Sequence, residues 1–292
     1  MSDQAQAIRE IKSGLDSAPV QDAFSRNRRV IAITSGKGGV GKSNIAINLG
    51  ISLTRFGHRV LIVDADVGLA NLDLLLGLTP KYNLSHVISG KKTLDEVVIS
   101  GPSGIRLLPA SSSGRLSPDF TSEKRGELVK SLRSNDYADT VLIDTGGGIT
   151  DNIIEFLLLA DEVILVTTPE PTSIMDSYGI IKILAQEKEN SFVNLLVNMA
   201  EDQADAQHVS STMKMITKQL INITMSDLGW VGSDPHVPKA VRQQQPFVLL
   251  YPASRATRAV TRIAMKMSNC EVDLVTDRGI SGLYRRIVSF LK

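Results

Sequence analysis

The sequence predicts a doubly wound α/β fold, with helices on both faces of a mostly parallel sheet of about seven to eight strands. Three observations lead there. Short β-branched or Leu-rich runs alternate with stretches of helical periodicity along most of the chain. Several of those runs are apolar at nearly every position, as strands buried on both faces must be. A glycine-rich segment stands between the first such run and the first helical stretch, and sheets of this kind bind ligands beyond the carboxyl ends of their strands.

The candidate strands are Val30 to Thr34, Val60 to Val63, Ile105 to Leu108, Val141 to Ile143, Val163 to Val166 and Phe192 to Val197, with a weaker one near Trp230. Asn44 to Phe56, Ser122 to Leu132, Ser173 to Gln186 and Gln207 to Leu220 read as helices between them. Connections of this type are right-handed. Ahead of the first strand, residues 1–15 carry Ile8, Ile11 and Leu15 at helical spacing. Residues 16–28 are polar, contain Pro19 and lack periodicity, which marks a linker. The expected organisation is thus a terminal helix over 1–15, a linker over 16–28, a main domain over 29–279 and a last helix over 280–292.

Of the 292 residues, 42% are hydrophobic and 22% charged, ordinary values for a chain with a sizeable core. A formal net charge of +1 supplies no global field toward nucleic acid, so no direct nucleic-acid partner is expected. The single cysteine, Cys270, excludes an internal disulfide and a cysteine metal cluster, and a reducing cytosol fits that. The first residues carry acids early and no long apolar run, unlike a secretory signal. No stretch reaches the about 20 apolar residues a spanning helix needs, so any membrane contact would be peripheral.

The strand Val30-Ile31-Ala32-Ile33 runs into Gly36-Lys37-Gly38-Gly39-Val40-Gly41-Lys42-Ser43, and a helical stretch follows. This is the pattern of a P-loop. Its glycines let backbone N–H groups turn inward around phosphates, and the helix N-terminus adds partial positive charge. Lys42 is placed to reach the β- and γ-phosphates of ATP or the phosphates of ADP, and the Ser43 hydroxyl to ligate Mg²⁺. Lys37 is a second lysine that this mechanism does not need. The loop resembles the deviant Walker A loop of the MinD/ParA ATPases. That resemblance implies a homodimer in the ATP state, in which Lys37 reaches the partner's phosphates as an arginine finger does elsewhere.

Two further strands deliver carboxylates. Val60 to Val63 leads into Asp64-Ala65-Asp66, two acids on one face of an extended segment. With Gly68, Asn71, Leu72 and Asp73 the segment resembles switch I of the family, which implies that Asp66 positions the hydrolytic water and that Asp64 lies near the metal. Val141-Leu142-Ile143 ends in Asp144, the Walker B arrangement for holding Mg²⁺. The following Thr145-Gly146-Gly147-Gly148 resembles switch II, although the family usually has Ala or Pro where Gly146 or Gly147 stands. For the base, the resemblance implies that Asn198, closing Leu195-Leu196-Val197, contacts adenine and that the segment around Asp234 forms the opposite wall. The run Thr167-Thr168-Pro169-Glu170-Pro171-Thr172 matches a strand-to-helix turn of the family and receives no chemistry.

The two ends narrow the branch. Asp3-Gln4-Ala5-Gln6-Ala7-Ile8-Arg9 resembles the D-Q-A-x-x-L-R motif of the flagellar-number regulators, FlhG and FleN, among MinD-like proteins. It implies that Gln4, supported by Arg9, stimulates the signal-recognition-type GTPase FlhF. A flagellar transcriptional regulator or basal-body component stands as a further partner. At the other end, Leu283, Ile287, Phe290 and Leu291 fall on one side of a helical wheel, opposite Arg285, Arg286 and Lys292. Such a helix suits the interface of an anionic membrane, and equally a terminal helix covering the domain's own core. The expectation is a cytoplasmic protein reversibly attached to the inner face of the cell membrane, with the cell pole as a candidate location. A division-site MinD or a DNA- or cargo-partitioning ParA is the alternative within the same core. The extension before the loop argues against the first and the near-neutral charge against the second.

Overall fold

The computed structural model describes residues 28–66, 71–110, 121–187, 191–218 and 223–268. Its frame is an eight-stranded sheet: β1 (Arg29–Ser35), β2 (Val60–Ala65), β3 (Ile99–Ser100), β4 (Arg106–Leu108), β5 (Thr140–Gly147), β6 (Glu162–Thr167), β7 (Ser191–Ala200) and β8 (Ile223–Gly232). The order across the sheet is β3-β4-β2-β5-β1-β6-β7-β8, and every pairing is parallel except β3 with β4. The doubly wound expectation holds.

β1, β2, β5 and β6 are buried along almost their whole length, which is why their sequences lack alternation. Two layers of helices cover them. On one face, Lys42–Thr54 and Arg255–Met267 pack through Ile45, Leu49, Val260 and Ile263. On the other, Ser122–Ser134, Asp151–Leu159, Pro171–Glu187 and Gln203–Thr217 pack through Leu128, Phe156, Ile180, Val209 and Met213. The sheet reverses direction about β1, so the crevice above it opens where β1 hands over to its helix.

The structure adds elements that the expected set lacks. β3 is two residues long, too short to show a period. Helix Asp151–Leu159, capped by the Thr150 side chain, is apolar through most of its length. Helix Arg255–Met267, capped by Ser254, buries one narrow apolar stripe beneath an otherwise basic surface. The segments 1–27 and 269–292 lie outside the described residues, and with them Gln4, Arg9, Leu283, Ile287, Phe290 and Leu291.

Candidate functional site

The glycine-rich loop sits where the sequence places it, between β1 and helix Lys42–Thr54. Gly41 caps that helix with φ 86° and ψ 15°, a left-handed turn that favours glycine. Space closes the position as well, because a Cβ on Gly41 would run into the Asn198 side-chain amide. That amide is buried and donates to the Val40 carbonyl at 2.8 Å. Asn198, expected at the base, therefore also holds the turn of the phosphate loop.

The strand end that delivers it is irregular. Pairing of β7 with β8 slips between Asn198 and Ala200, and Met199 between them has φ 59°. A long side chain adopts that conformation only where its surroundings enforce it. The Met199 side chain stays 45% exposed, and its Cε lies 3.5 Å from where a Cβ on Gly41 would be. Sequence reading passed over Met199, and the only signal was its position next to Asn198.

Lys42 turns inward. Its Nζ donates to Asp144 Oδ1 at 3.0 Å, with both side chains buried. Burial pushes the Asp144 carboxyl upward, against the pull of Lys42 and of the neighbouring Ser43 hydroxyl. The register of β2 against β5 sets Asp64 directly opposite Asp144. Burial, then the charge of Asp144, raises the Asp64 carboxyl to about 7, even though the N–H groups of Leu72, Asp66 and Asn71 all donate to it. Asp64 thereby ties both ends of the switch I segment to β2. Asp66 leaves the strand beside the second switch, its Oδ1 3.4 Å from the point a Cβ on Gly146 would occupy.

The two loops touch. A Cβ on Gly147 would lie 2.8 Å from both the Gly38 nitrogen and the Lys37 carbonyl carbon. The Gly148 N–H also donates to the Ser35 carbonyl at 3.0 Å. At Gly147 the close approach of backbone to backbone leaves no room for a side chain.

Lys37 points away from all this. Its Nζ donates to the Glu170 carboxylate and, at 3.0 Å, to Thr172 Oγ1. The turn from β6 to helix Pro171–Glu187, to which no chemistry was assigned, is what holds the second lysine.

Asp234 is fully engaged within the protein. Oδ1 accepts from the His236 N–H at 2.9 Å and pairs with His236 Nδ1 at 2.8 Å, and Oδ2 accepts from the Ala256 N–H at 3.0 Å. Burial would raise its carboxyl, but these donors outweigh burial and lower it. The geometry makes it a clamp between the loop after β8 and helix Arg255–Met267.

The site suits the groups it implies. Asp144 Oδ2 is buried with no hydrogen-bond partner, beside a serine hydroxyl and a second carboxylate. These are hard oxygen donors, suited to Mg²⁺. Among the described residues no three His, Cys, Asp or Glu side chains form a metal cage. Mg²⁺ needs none, because one or two carboxylates and substrate phosphates complete its shell.

The model of the ParA family, described as NUBPL iron-transfer P-loop NTPase, matches residues 26–268. The chain belongs to that ParA family of P-loop NTPases. Among ParA-type relatives, the antiactivator FleN of Pseudomonas aeruginosa is 36% identical over 242 residues, covering 82% of this chain and 86% of that protein. The flagellum site-determining protein YlxH of Helicobacter pylori is 31% identical over 270 residues, 91% of each chain. A chain of the MinC:MinD cell division protein complex of Aquifex aeolicus superposes with a TM-score of 0.71 at 26% identity, covering 85% of this chain and 98% of that one. The septum site-determining MinD of Pyrococcus horikoshii, solved with Mg-ADP, gives 0.69 at 25% identity and 82% and 96% coverage. These likenesses place the chain with the FleN and YlxH branch of the MinD/ParA ATPases, as its sequence resemblance implies.

Proposed function

We propose that this ParA-type NTPase is an ATP-driven monomer–dimer switch that sets flagellar number or placement. One observation carries the reading: two lysines of one loop face opposite ways. Lys42 is spent on the enclosed site with Asp144, whereas Lys37 lies outside it on Glu170 and Thr172. A lysine held outside its own site is available to a neighbour's, and the loop N–H groups with Lys42 serve the cis nucleotide.

In this reading ATP and Mg²⁺ supply the electrophilic phosphoryl group and the charge that offsets its oxygens. Ser43 and Asp144 would hold the metal, with Asp64 beside them, and Asp66 would orient the attacking water. Asn198 and Asp234 flank the base. The flagellar setting rests on similarity to FleN and YlxH and on the DQAQAIR segment. Gln4 and Arg9 would act on FlhF, and the basic amphipathic segment 280–292 would bring the ATP dimer to the anionic inner face of the cell membrane. Asp66→Ala tests the switch: with ATP and Mg²⁺ it should accumulate as a dimer by light scattering. A variant that binds ATP and stays monomeric would overturn the sandwich.

A further inference from the structure

Among the described residues β8 is an edge of the sheet, bonded to β7 on one side alone. Its lower half is guarded. Lys266 reaches the Asp227 carbonyl, and Lys214 and Ser210 take the Asp227 carboxylate, an arrangement of charge that blunts an edge strand. The upper half, residues 229–232, carries no such guard among the described residues. There a cleft of about 150 Å³ opens between Trp230, Gly232 and Ser233 on one side and Arg255, Arg258 and Arg262 on the other, with Glu201 at its rim.

The three arginines follow one exposed face of helix Arg255–Met267. None of their side chains has an ion-pair or hydrogen-bond partner among the described residues. Elsewhere in the domain Arg29, Arg59, Arg125 and Arg133 each pair with a carboxylate. With a net charge of +1, the chain is not so basic that unpaired arginines should gather by composition alone. The cleft is well below the roughly 300 Å³ at which small-molecule pockets begin, too small for a nucleotide and ample for one carboxylate side chain. Unpaired backbone groups beside a row of guanidinium forks are what an extended acidic peptide needs: main-chain pairing for affinity, bidentate carboxylate contacts for specificity.

Helix Arg255–Met267 is poorly placed to lead into that strand. The steps from β6 to β7 and from β7 to β8 move outward through helices on one face, whereas helix Arg255–Met267 lies on the other. A parallel strand entered from it and laid outside β8 would need a crossover of the disfavoured hand. Among the described residues no strand covers this edge.

We infer that residues 229–232 with Arg255, Arg258 and Arg262 form a docking edge for an extended acidic segment of a protein partner, which adds as a strand beside β8 and sets a carboxylate among the arginines. Val231 pairs with Asn198 and Ser233 precedes Asp234, so the edge adjoins the segment expected to wall the base. Peptide binding there is read directly and stands or falls independently of the switch proposed above. Trp230 is the single tryptophan, so its emission reads the cleft directly.

The probe is an acetylated, amidated octapeptide of alternating Val and Glu, titrated into the full chain with ADP. Saturable change in Trp230 emission is expected, with binding weakened at least tenfold in the Arg258→Gln/Arg262→Gln variant while ATPase activity is unchanged. The Val–Lys counterpart should give no change, and methylating alternate peptide nitrogens should weaken binding at least tenfold. Absence of binding, equal binding by the variant, or indifference to methylation would overturn the docking edge. So would displacement of the peptide by a short DNA duplex or by phosphatidylglycerol vesicles that bind the same arginines more tightly, since the surface would then serve phosphates.

Discussion

Lys37 is fastened to Glu170, with Thr172 Oγ1 3.0 Å away on the same ammonium group. In the monomer that contact competes with any use of Lys37 on a partner's nucleotide. The pair is partly exposed, with side-chain exposures of 32% and 65%, so it is worth at most about 1 kcal/mol. Each dimer would release two such contacts, so Glu170→Gln should tighten ATP-dependent dimerisation by no more than about thirtyfold, measured as the shift in midpoint by sedimentation. Lys37→Ala should abolish the dimer while leaving monomeric ATP binding near normal. A Glu170→Gln variant that dimerises less well would show that the carboxylate serves the dimer.

Asn198 offers a sharper test of the loop. Asn198→Ala removes the donor from the buried Val40 carbonyl, a loss of about 1–3 kcal/mol. Binding of a fluorescent ATP analogue should weaken about tenfold or more. Gly41→Ala should do worse, because the new methyl group meets the Asn198 amide at a positive φ. Rescue of Gly41→Ala by Asn198→Ala would be partial, since the backbone strain remains.

Asp234 makes a prediction in pH. Its folded carboxyl titrates below the ordinary value of 3.8, so its contribution is complete above that value and is lost as the pH falls through the lowered one. Asp234→Ala leaves the His236 and Ala256 N–H groups without their acceptor, and should cost about 2–4 kcal/mol at neutral pH. Near pH 3 the difference in thermal midpoint between variant and parent should shrink. A constant difference would mean that packing, not charge, is what the aspartate supplies.

The two ends can be tested without reference to the core. Gln4→Ala should abolish stimulation of GTP hydrolysis by FlhF with ATPase activity unchanged. Deleting residues 280–292 should release the ATP dimer from anionic liposomes in a flotation assay. Persistence of either activity would remove the corresponding segment from the proposal.

Much of the site was legible because its chemistry is local. Each of the loop, Asp64 with Asp66, and Asp144 is an apolar strand followed at once by its functional group, so spacing alone places them. What stayed hidden depends on contacts distant in sequence. No pattern around Lys37 announces Glu170, and none around Val40 announces Asn198. Helix Arg255–Met267 was legible in principle, since Ala256, Val260, Ile263, Ala264 and Met267 recur at helical spacing. Its arginines and threonines lower the mean hydropathy enough to mask that stripe. Helix Asp151–Leu159 failed for the opposite reason, because a run as apolar as Ile153 to Leu159 has little periodicity to read.

Gly147 rests against the peptide that joins Lys37 to Gly38. That peptide carries Lys37, and Gly147 belongs to the segment that follows Asp144. If Lys37 serves a partner's nucleotide as proposed, a shift of Gly147 on phosphate release would press directly on the peptide that carries it. Two such molecules face to face would each sense their own hydrolysis as a loosening of their hold on the other, and separation would begin from whichever site fired first.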